Sequence, residues 1–166
     1  MFIFLPWKRH IIETCQVMYE YPKHLFTSNV LKNAYLSHLF HHRSSLILCT
    51  YASKTREWVG YAVTDFNTSI TGKIHSHCSI HTAELHAKLS AINYSKNSMD
   101  NRLVMMTDSE SATQSIKMIH SSEPLVQSVF REINVFFEKC NLTLGSQSYW
   151  CTKEWKNWRA CKDSSY

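Results

Sequence analysis

Two short apolar runs joined by a polar turn constrain the fold of this chain more than any other feature. Residues 45–51 and 57–65 have the length and the apolar content of strands, and the polar turn between them is short. Residues 68–77 alternate apolar and polar positions, which is typical of a third, half-exposed strand. The three segments therefore predict an antiparallel meander.

A helix and a buried strand are predicted next. Leu85, Leu89 and Ile92 recur at helical spacing within residues 79–98, so one face of this helix is apolar. Residues 102–107 form a short apolar run between polar flanks, which suits a buried strand in a parallel pair. The chain thus changes from a meander to alternating helices and strands.

Two further helices have clear starting signals. Ser109 is a capping residue for a helix that runs to about residue 119, and Pro124 suits the first turn of another helix. Residues 142–151 are typical of a last strand, and residues 154–163 of a final short helix. We predict an α/β fold in which a mixed five-stranded sheet, a three-strand antiparallel meander followed by strand–helix crossovers, carries packed helices.

The first part of the chain has a weaker pattern. Residues 1–43 show a possible short helix at about residues 30–40 and no group with evident chemistry. We interpret residues 1–43 as an N-terminal extension. Residues 44–166 are then the folded domain, which is truncated or divergent at its C-terminal end.

Composition restricts the class of protein. A chain of 166 residues suits one domain, and its net charge of +5 is compatible with a polyanionic partner or with a merely solvated surface. Its six cysteines form no Cys-x-x-Cys pair, which favours reduced thiols. No signal peptide and no apolar run of membrane-spanning length is recognised. We expect an intracellular protein, nuclear or cytoplasmic, that is not secreted and has no membrane partner.

Two carboxylates stand where a site is expected. Asp108 follows the buried strand directly, and sites in open α/β sheets form beyond the carboxyl ends of strands. Glu84 lies in the first turns of the preceding helix. Each residue taken alone also has a purely structural explanation, since Glu84 can balance a helix N-terminus and Asp108 can cap the next helix.

Five segments resemble one known family. They are "TYASK" with "VGYAV", "HTAELHAKLSAINY", "VMMTDSESATQSI", "PLVQSVFREI" and "SYWCTKEW". Over about two thirds of the chain they resemble the type 1 ribonuclease H domain, of the kind found in non-LTR retrotransposon reverse transcriptases. The resemblance implies a ribonuclease H-like fold, a nucleic-acid partner and hydrolysis of the RNA strand of RNA–DNA hybrids.

The resemblance also implies a metal site. The family holds two divalent cations with four carboxylates, and hard oxygen ligands of this kind suit Mg²⁺ or Mn²⁺ in phosphodiester cleavage. Glu84 matches the carboxylate of the first helix, and Asp108 matches that of the fourth strand. Ser53, Ser109 and Ser111 match positions near the nucleic-acid backbone.

The other two carboxylates of the family pattern are missing. Tyr51 stands at the first, and its phenol is neutral at pH 7. Ala52 replaces the glycine after it, and a match of Asn157 to the Asn of the family's last motif would place Cys161 at the fourth carboxylate. Asp163 is two residues further on and would serve as a ligand only if the final helix were shifted.

A histidine cluster offers a different metal site. His75, His77, Cys78 and His81 are close in sequence, and residues 75 and 77 would share one face of a strand. The chain has no second cluster of matching spacing, so we expect no zinc.

Three functions therefore remain open. The favoured one is a degenerate ribonuclease H-like domain that binds RNA–DNA hybrid or another duplex and is weakly active or inactive. The first alternative is an active RNA–DNA hybrid ribonuclease, a metal-dependent endonuclease that uses Glu84, Asp108 and Asp163. The second is a protein-interaction domain unrelated to the family.

Overall fold

The computed structural model describes residues 12–15, 28–65, 67–98, 102–118, 121–139 and 148–152. Within these ranges the chain forms six strands and four helices. In chain order they are β1 (Ile12–Cys15), α1 (Ser28–His41), β2 (Leu46–Lys54), β3 (Val59–Thr64), β4 (Ser69–Ile74), α2 (Ile80–Ser95), β5 (Leu103–Thr107), α3 (Glu110–Lys117), α4 (Pro124–Lys139) and β6 (Ser148–Thr152).

The strands form one mixed sheet in the order β1-β6-β5-β2-β3-β4. Strands β2, β3 and β4 pair antiparallel as consecutive neighbours, which confirms the predicted meander. Strand β5 pairs with β2 in parallel after the crossover through α2. The outer strands β6 and β1 continue the sheet in parallel. The sheet is therefore mixed, with an antiparallel meander followed by parallel crossover strands, as the sequence predicts.

The sheet has six strands where five were predicted, because β1 joins it through β6. This strand has four residues and lies in the segment that the sequence assigns to an extension. So short a run has no recognisable period, and its identity as a strand depends on pairing with a distant segment. The predicted final helix, residues 154–163, lies outside the described residues, as do Cys161 and Asp163.

Alternate residues of the central strands pack on opposite faces of the sheet. The larger core cluster lies on the face covered by α2, α3 and α4 and includes Leu48, Leu85, Met105, Ile116 and Val129. The smaller core cluster lies on the other face, where Cys49, Val104 and Met106 are buried and Leu39 of α1, Ile47 and Tyr51 pack against them. Helices thus cover both faces of the strands that lead to the candidate site.

Capping serines position the two helices next to that site. The hydroxyl of Ser79 accepts a hydrogen bond of 3.0 Å from the Thr82 N–H at the start of α2. Ser109 caps α3 by accepting from the Ala112 N–H at 3.3 Å, as predicted. Pro124 is the first residue of α4, which is also confirmed. No helix among the described residues is long and apolar enough to cross a membrane.

Candidate functional site

The candidate site forms where β2 and β5 run side by side toward the same edge of the sheet. These strands are parallel, and Thr50 is paired with Thr107. The residues that follow, Tyr51 in β2 and Asp108 after β5, therefore lie at one edge. Helix α2 packs across both strands and brings Glu84 to the same place.

Glu84 is a buried carboxylate with a partial set of partners. Its side chain accepts a hydrogen bond from the backbone N–H of Ala52, while Oε2 has no hydrogen-bond partner. Burial raises the pKa of Glu84 above its usual range, and the nearby Asp108 carboxylate raises it further, while Lys88 acts in the opposite direction. The structure thus brings Glu84 and Asp108 within electrostatic reach of each other.

A buried lysine lies beside these carboxylates. The side chain of Lys88 is 0% exposed, and its Nζ donates a hydrogen bond of 2.9 Å to the Thr107 hydroxyl. The same Nζ lies 3.9 Å from Oε2 of Glu84, one helical turn earlier in α2. Burial lowers the pKa of Lys88, and the Glu84 and Asp108 carboxylates partly restore it. Glu84, Lys88 and Asp108 therefore interact electrostatically in a site that is partly shielded from solvent.

The sequence analysis did not identify Lys88. A signal for it was present, because Lys88 lies between Ala87 and Ala91 in the stripe of small residues that packs the helix closely. A lysine at such a position is almost never fully buried unless it is paired. The position of Lys88 in the sequence therefore indicates that its side chain pairs with an acidic or hydrogen-bonding group inside the fold.

The backbone around Asp108 is held by side-chain hydroxyls. The hydroxyl of Thr107 also accepts a hydrogen bond of 3.2 Å from the Ser109 N–H. The Thr50 hydroxyl donates to the Met106 carbonyl at 3.4 Å. These contacts tie the end of β5 to β2 and to the start of α3, so Asp108 projects from a constrained turn.

Tyr51 packs on the sheet face that carries the smaller core cluster, beside Cys49 and Met106. Its ring is half-buried and contributes apolar packing. Its phenol offers one oxygen as a ligand atom, where a carboxylate would offer two. The fold thus accommodates an aromatic ring at the position where the resemblance implies a carboxylate.

Among the described residues, the donor set does not fit a two-cation centre of the kind that the motifs imply. Across the described ranges, no group of three or more His, Cys, Asp and Glu side chains is arranged to hold a metal ion. Glu84 and Asp108 are two carboxylates, and the ammonium of Lys88 already lies beside the first. A dication at this edge would meet that positive charge.

The histidine cluster has partners within the protein. The rings of His75 and His77 stack with centroids 5.0 Å apart, and Nδ1 of His75 accepts a hydrogen bond from the His77 N–H at 3.3 Å. His81 faces α3, where each ring nitrogen lies 3.4 Å from a serine hydroxyl, that of Ser111 or Ser115. These contacts bring the first turns of α2 and α3 together.

The three candidate nucleic-acid-binding serines have different surroundings. Ser53 is exposed near the end of β2, next to Lys54, whose Nζ donates a hydrogen bond of 2.8 Å to the Cys78 carbonyl. Ser111 is exposed in the first turn of α3. Ser109 uses its hydroxyl as a helix cap, so it is the least available of the three for a ligand.

Comparison with solved structures places the architecture in the ribonuclease H fold class. An RNase H1 isolated from compost by a metagenomic approach matches with a TM-score of 0.50 and 17% identity, covering 72% of this chain and 91% of that chain. At that identity the likeness establishes a shared fold. It leaves the activity to be inferred from the site.

Two other solved structures are similar to lower degrees. RNase H1 from the halophilic archaeon Halobacterium salinarum matches at 12% identity and a TM-score of 0.47, covering 71% of this chain and 98% of that chain. The compost RNase H1 in complex with an RNA/DNA hybrid matches at 17% identity and a TM-score of 0.46, covering 70% of this chain and 91% of that chain. No protein-family model and no curated protein matches this sequence.

Proposed function

We propose that this chain is a degenerate ribonuclease H-like domain that binds RNA–DNA hybrid or another nucleic-acid duplex and hydrolyses it weakly or not at all. The observation that carries the proposal is the grouping of Glu84, Asp108 and Lys88 at the end of β5. Glu84 and Asp108 are the two carboxylates that the resemblance matches to metal ligands of the family. Among the described residues, a buried ammonium lies beside them.

The weak catalysis follows from the chemistry of phosphodiester cleavage. Two divalent ions stabilise both the attacking and the leaving oxygen, and Mg²⁺ needs several hard oxygen ligands in octahedral geometry. Tyr51 replaces one carboxylate by a neutral phenol, and Lys88 adds a positive charge beside Glu84. Both changes disfavour the binding of cations.

Duplex binding is supported by charge and by exposed polar groups near the same edge. The net charge is +5, and phosphate contacts provide most sequence-independent affinity for nucleic acid. Ser53 and Ser111 are exposed, and hydroxyls of this kind are common phosphate donors. Lys54 lies next to Ser53 and adds a nearby cation.

The activity is tested with a labelled RNA–DNA hybrid. The purified chain is incubated with the hybrid in Mg²⁺ or Mn²⁺, beside a Glu84→Gln, Asp108→Asn double variant. We expect no cleavage by the wild type, or only slow cleavage slightly above that of the double variant. Efficient metal-dependent cleavage that the double variant lacks would identify an active ribonuclease and contradict this part of the proposal.

Binding is tested separately by fluorescence anisotropy. Ser53→Glu and Ser111→Glu place negative charges beside the proposed backbone contacts, so each should weaken hybrid binding by about tenfold at low salt. Ser69→Glu is the matched control, because Ser69 is exposed at the opposite end of the meander. Equal affinities in all three variants, or wild-type affinity that salt does not change, would argue against backbone binding at this edge.

A further inference from the structure

The complete burial of Lys88 needs an explanation that packing does not supply. Its side chain is 0% exposed and lies among the helix residues that face the sheet. An ammonium without compensation is strongly disfavoured in such surroundings. The groups that contact Lys88 should therefore compensate for the burial of its charge.

Two oxygen atoms lie close to the Lys88 ammonium at the candidate site. Its Nζ donates to the Thr107 hydroxyl at 2.9 Å and lies 3.9 Å from Oε2 of Glu84. Asp108, the residue after Thr107, acts electrostatically on both Lys88 and Glu84. The ammonium thus lies beside Glu84 and within electrostatic reach of Asp108.

Helix geometry explains how Lys88 reaches this place. Residues four apart lie on one face of a helix, and side chains lean toward the N-terminal turn. Lys88 therefore extends along α2 toward Glu84 and the carboxyl end of β5.

We propose that the Lys88 ammonium is a built-in cation that takes the place of a divalent metal ion at the Glu84 and Asp108 carboxylates. One positive charge partly balances two carboxylates, so the site is stable without a metal ion. A divalent cation at the same carboxylates would be repelled by the ammonium, which cannot leave because its side chain is part of the core. This inference concerns cation binding and does not depend on whether the domain binds nucleic acid.

The inference is tested by titrating the free protein with Mn²⁺ and measuring bound metal by electron paramagnetic resonance. Lys88→Met removes the charge and keeps most of the side-chain volume. At about pH 7, where Lys88 is mostly protonated, we expect this variant to bind Mn²⁺ at least about tenfold more tightly than the wild type. The gain should disappear in a Lys88→Met, Glu84→Gln double variant.

A matched control separates this effect from general loss of positive charge. Lys117 is exposed at the end of α3, so Lys117→Met removes the same charge away from the site. We expect its Mn²⁺ affinity to equal that of the wild type. Equal Mn²⁺ affinities in the wild type and the Lys88→Met variant would overturn the proposal, as would an equal gain in the control.

A measurement on the Lys88-containing protein covers the case in which Lys88→Met does not fold. The thermal midpoint of the wild type is compared in EDTA and in about 10 mM MnCl₂, because a ligand that binds only the folded state raises the midpoint. We expect the two midpoints to agree. A rise in MnCl₂ that is absent from the Glu84→Gln variant would show metal binding beside Lys88 and would refute the inference.

Discussion

The ammonium of Lys88 donates a hydrogen bond of 2.9 Å to the hydroxyl of Thr107, and both side chains are buried. This bond joins the middle of α2 to the last residue of β5. It holds the helix that carries Glu84 against the strand that leads to Asp108. The relative position of the two carboxylates therefore depends on this contact.

Thr107→Val should destabilise the fold by about 1–3 kcal/mol, because it leaves a buried ammonium without its hydrogen-bond acceptor. Urea unfolding monitored by circular dichroism measures the change. Thr71→Val is the control, since Thr71 is exposed on β4 and its replacement should change the free energy of unfolding by less than about 0.5 kcal/mol. Equal effects of the two substitutions would show that the Lys88–Thr107 bond contributes nothing measurable.

The unfolding free energy should depend on pH through Glu84. Burial raises the pKa of Glu84 from 4.5 to about 7, so the folded state retains a proton that the unfolded state has lost. The stabilisation of the folded state by protonated Glu84 is fully present below about pH 4.5 and is lost as the pH rises through about 7. The loss over this window should be on the order of 1–3 kcal/mol.

Glu84→Gln should remove this pH dependence, because an amide does not titrate. The experiment compares urea midpoints of the wild type and the variant at several pH values between about 4.5 and 7. A difference between the two proteins that stays constant across the window would show that Glu84 titrates alike in the folded and unfolded states.

The stabilisation that Asp65 contributes should depend on pH in the opposite direction to that of Glu84. The Tyr94 hydroxyl donates a hydrogen bond of 2.7 Å to Asp65, and the Thr68 N–H donates another of 2.6 Å. These bonds, that of Tyr94 above all, hold the pKa of Asp65 well below its usual range. The stabilisation is present above the ordinary pKa of 3.8 and is lost as the pH falls below it.

Tyr94→Phe should raise the pKa of Asp65 toward its ordinary value without restoring it fully, since the bonds from Asn67 and Thr68 remain. A titration followed by nuclear magnetic resonance of the Asp65 carboxyl carbon measures this. Tyr61→Phe serves as the control, because Tyr61 stacks on His86 instead. An Asp65 titration that Tyr94→Phe leaves unchanged would contradict the assigned cause.

Ser109→Ala should cost about 1 kcal/mol of stability, because the Ala112 N–H loses its cap. Ser109→Asp should retain most of the wild-type stability, since aspartate caps helices equally well and favours a helix N-terminus. Thermal or urea unfolding of the three proteins checks both outcomes. Equal destabilisation by alanine and aspartate would indicate a role other than capping.

Local patterns were sufficient to predict much of this fold. The strands β2 to β5 and the helix α2 have apolar periods that a short window reveals, and Ser109 and Pro124 mark helix starts by their own chemistry. The strand β1 has no such signal, because four residues become a strand only through pairing with β6.

The sequence by itself determined the order and type of most elements, since helical and strand periods are properties of neighbouring residues. It also indicated Glu84 and Asp108 by their places at a helix start and a strand end. Only the tertiary structure showed that Lys88 lies beside Glu84 and close to the end of β5, because its burial depends on how α2 packs across β2 and β5. The charge of the site is thus a consequence of packing between segments that are distant in the chain.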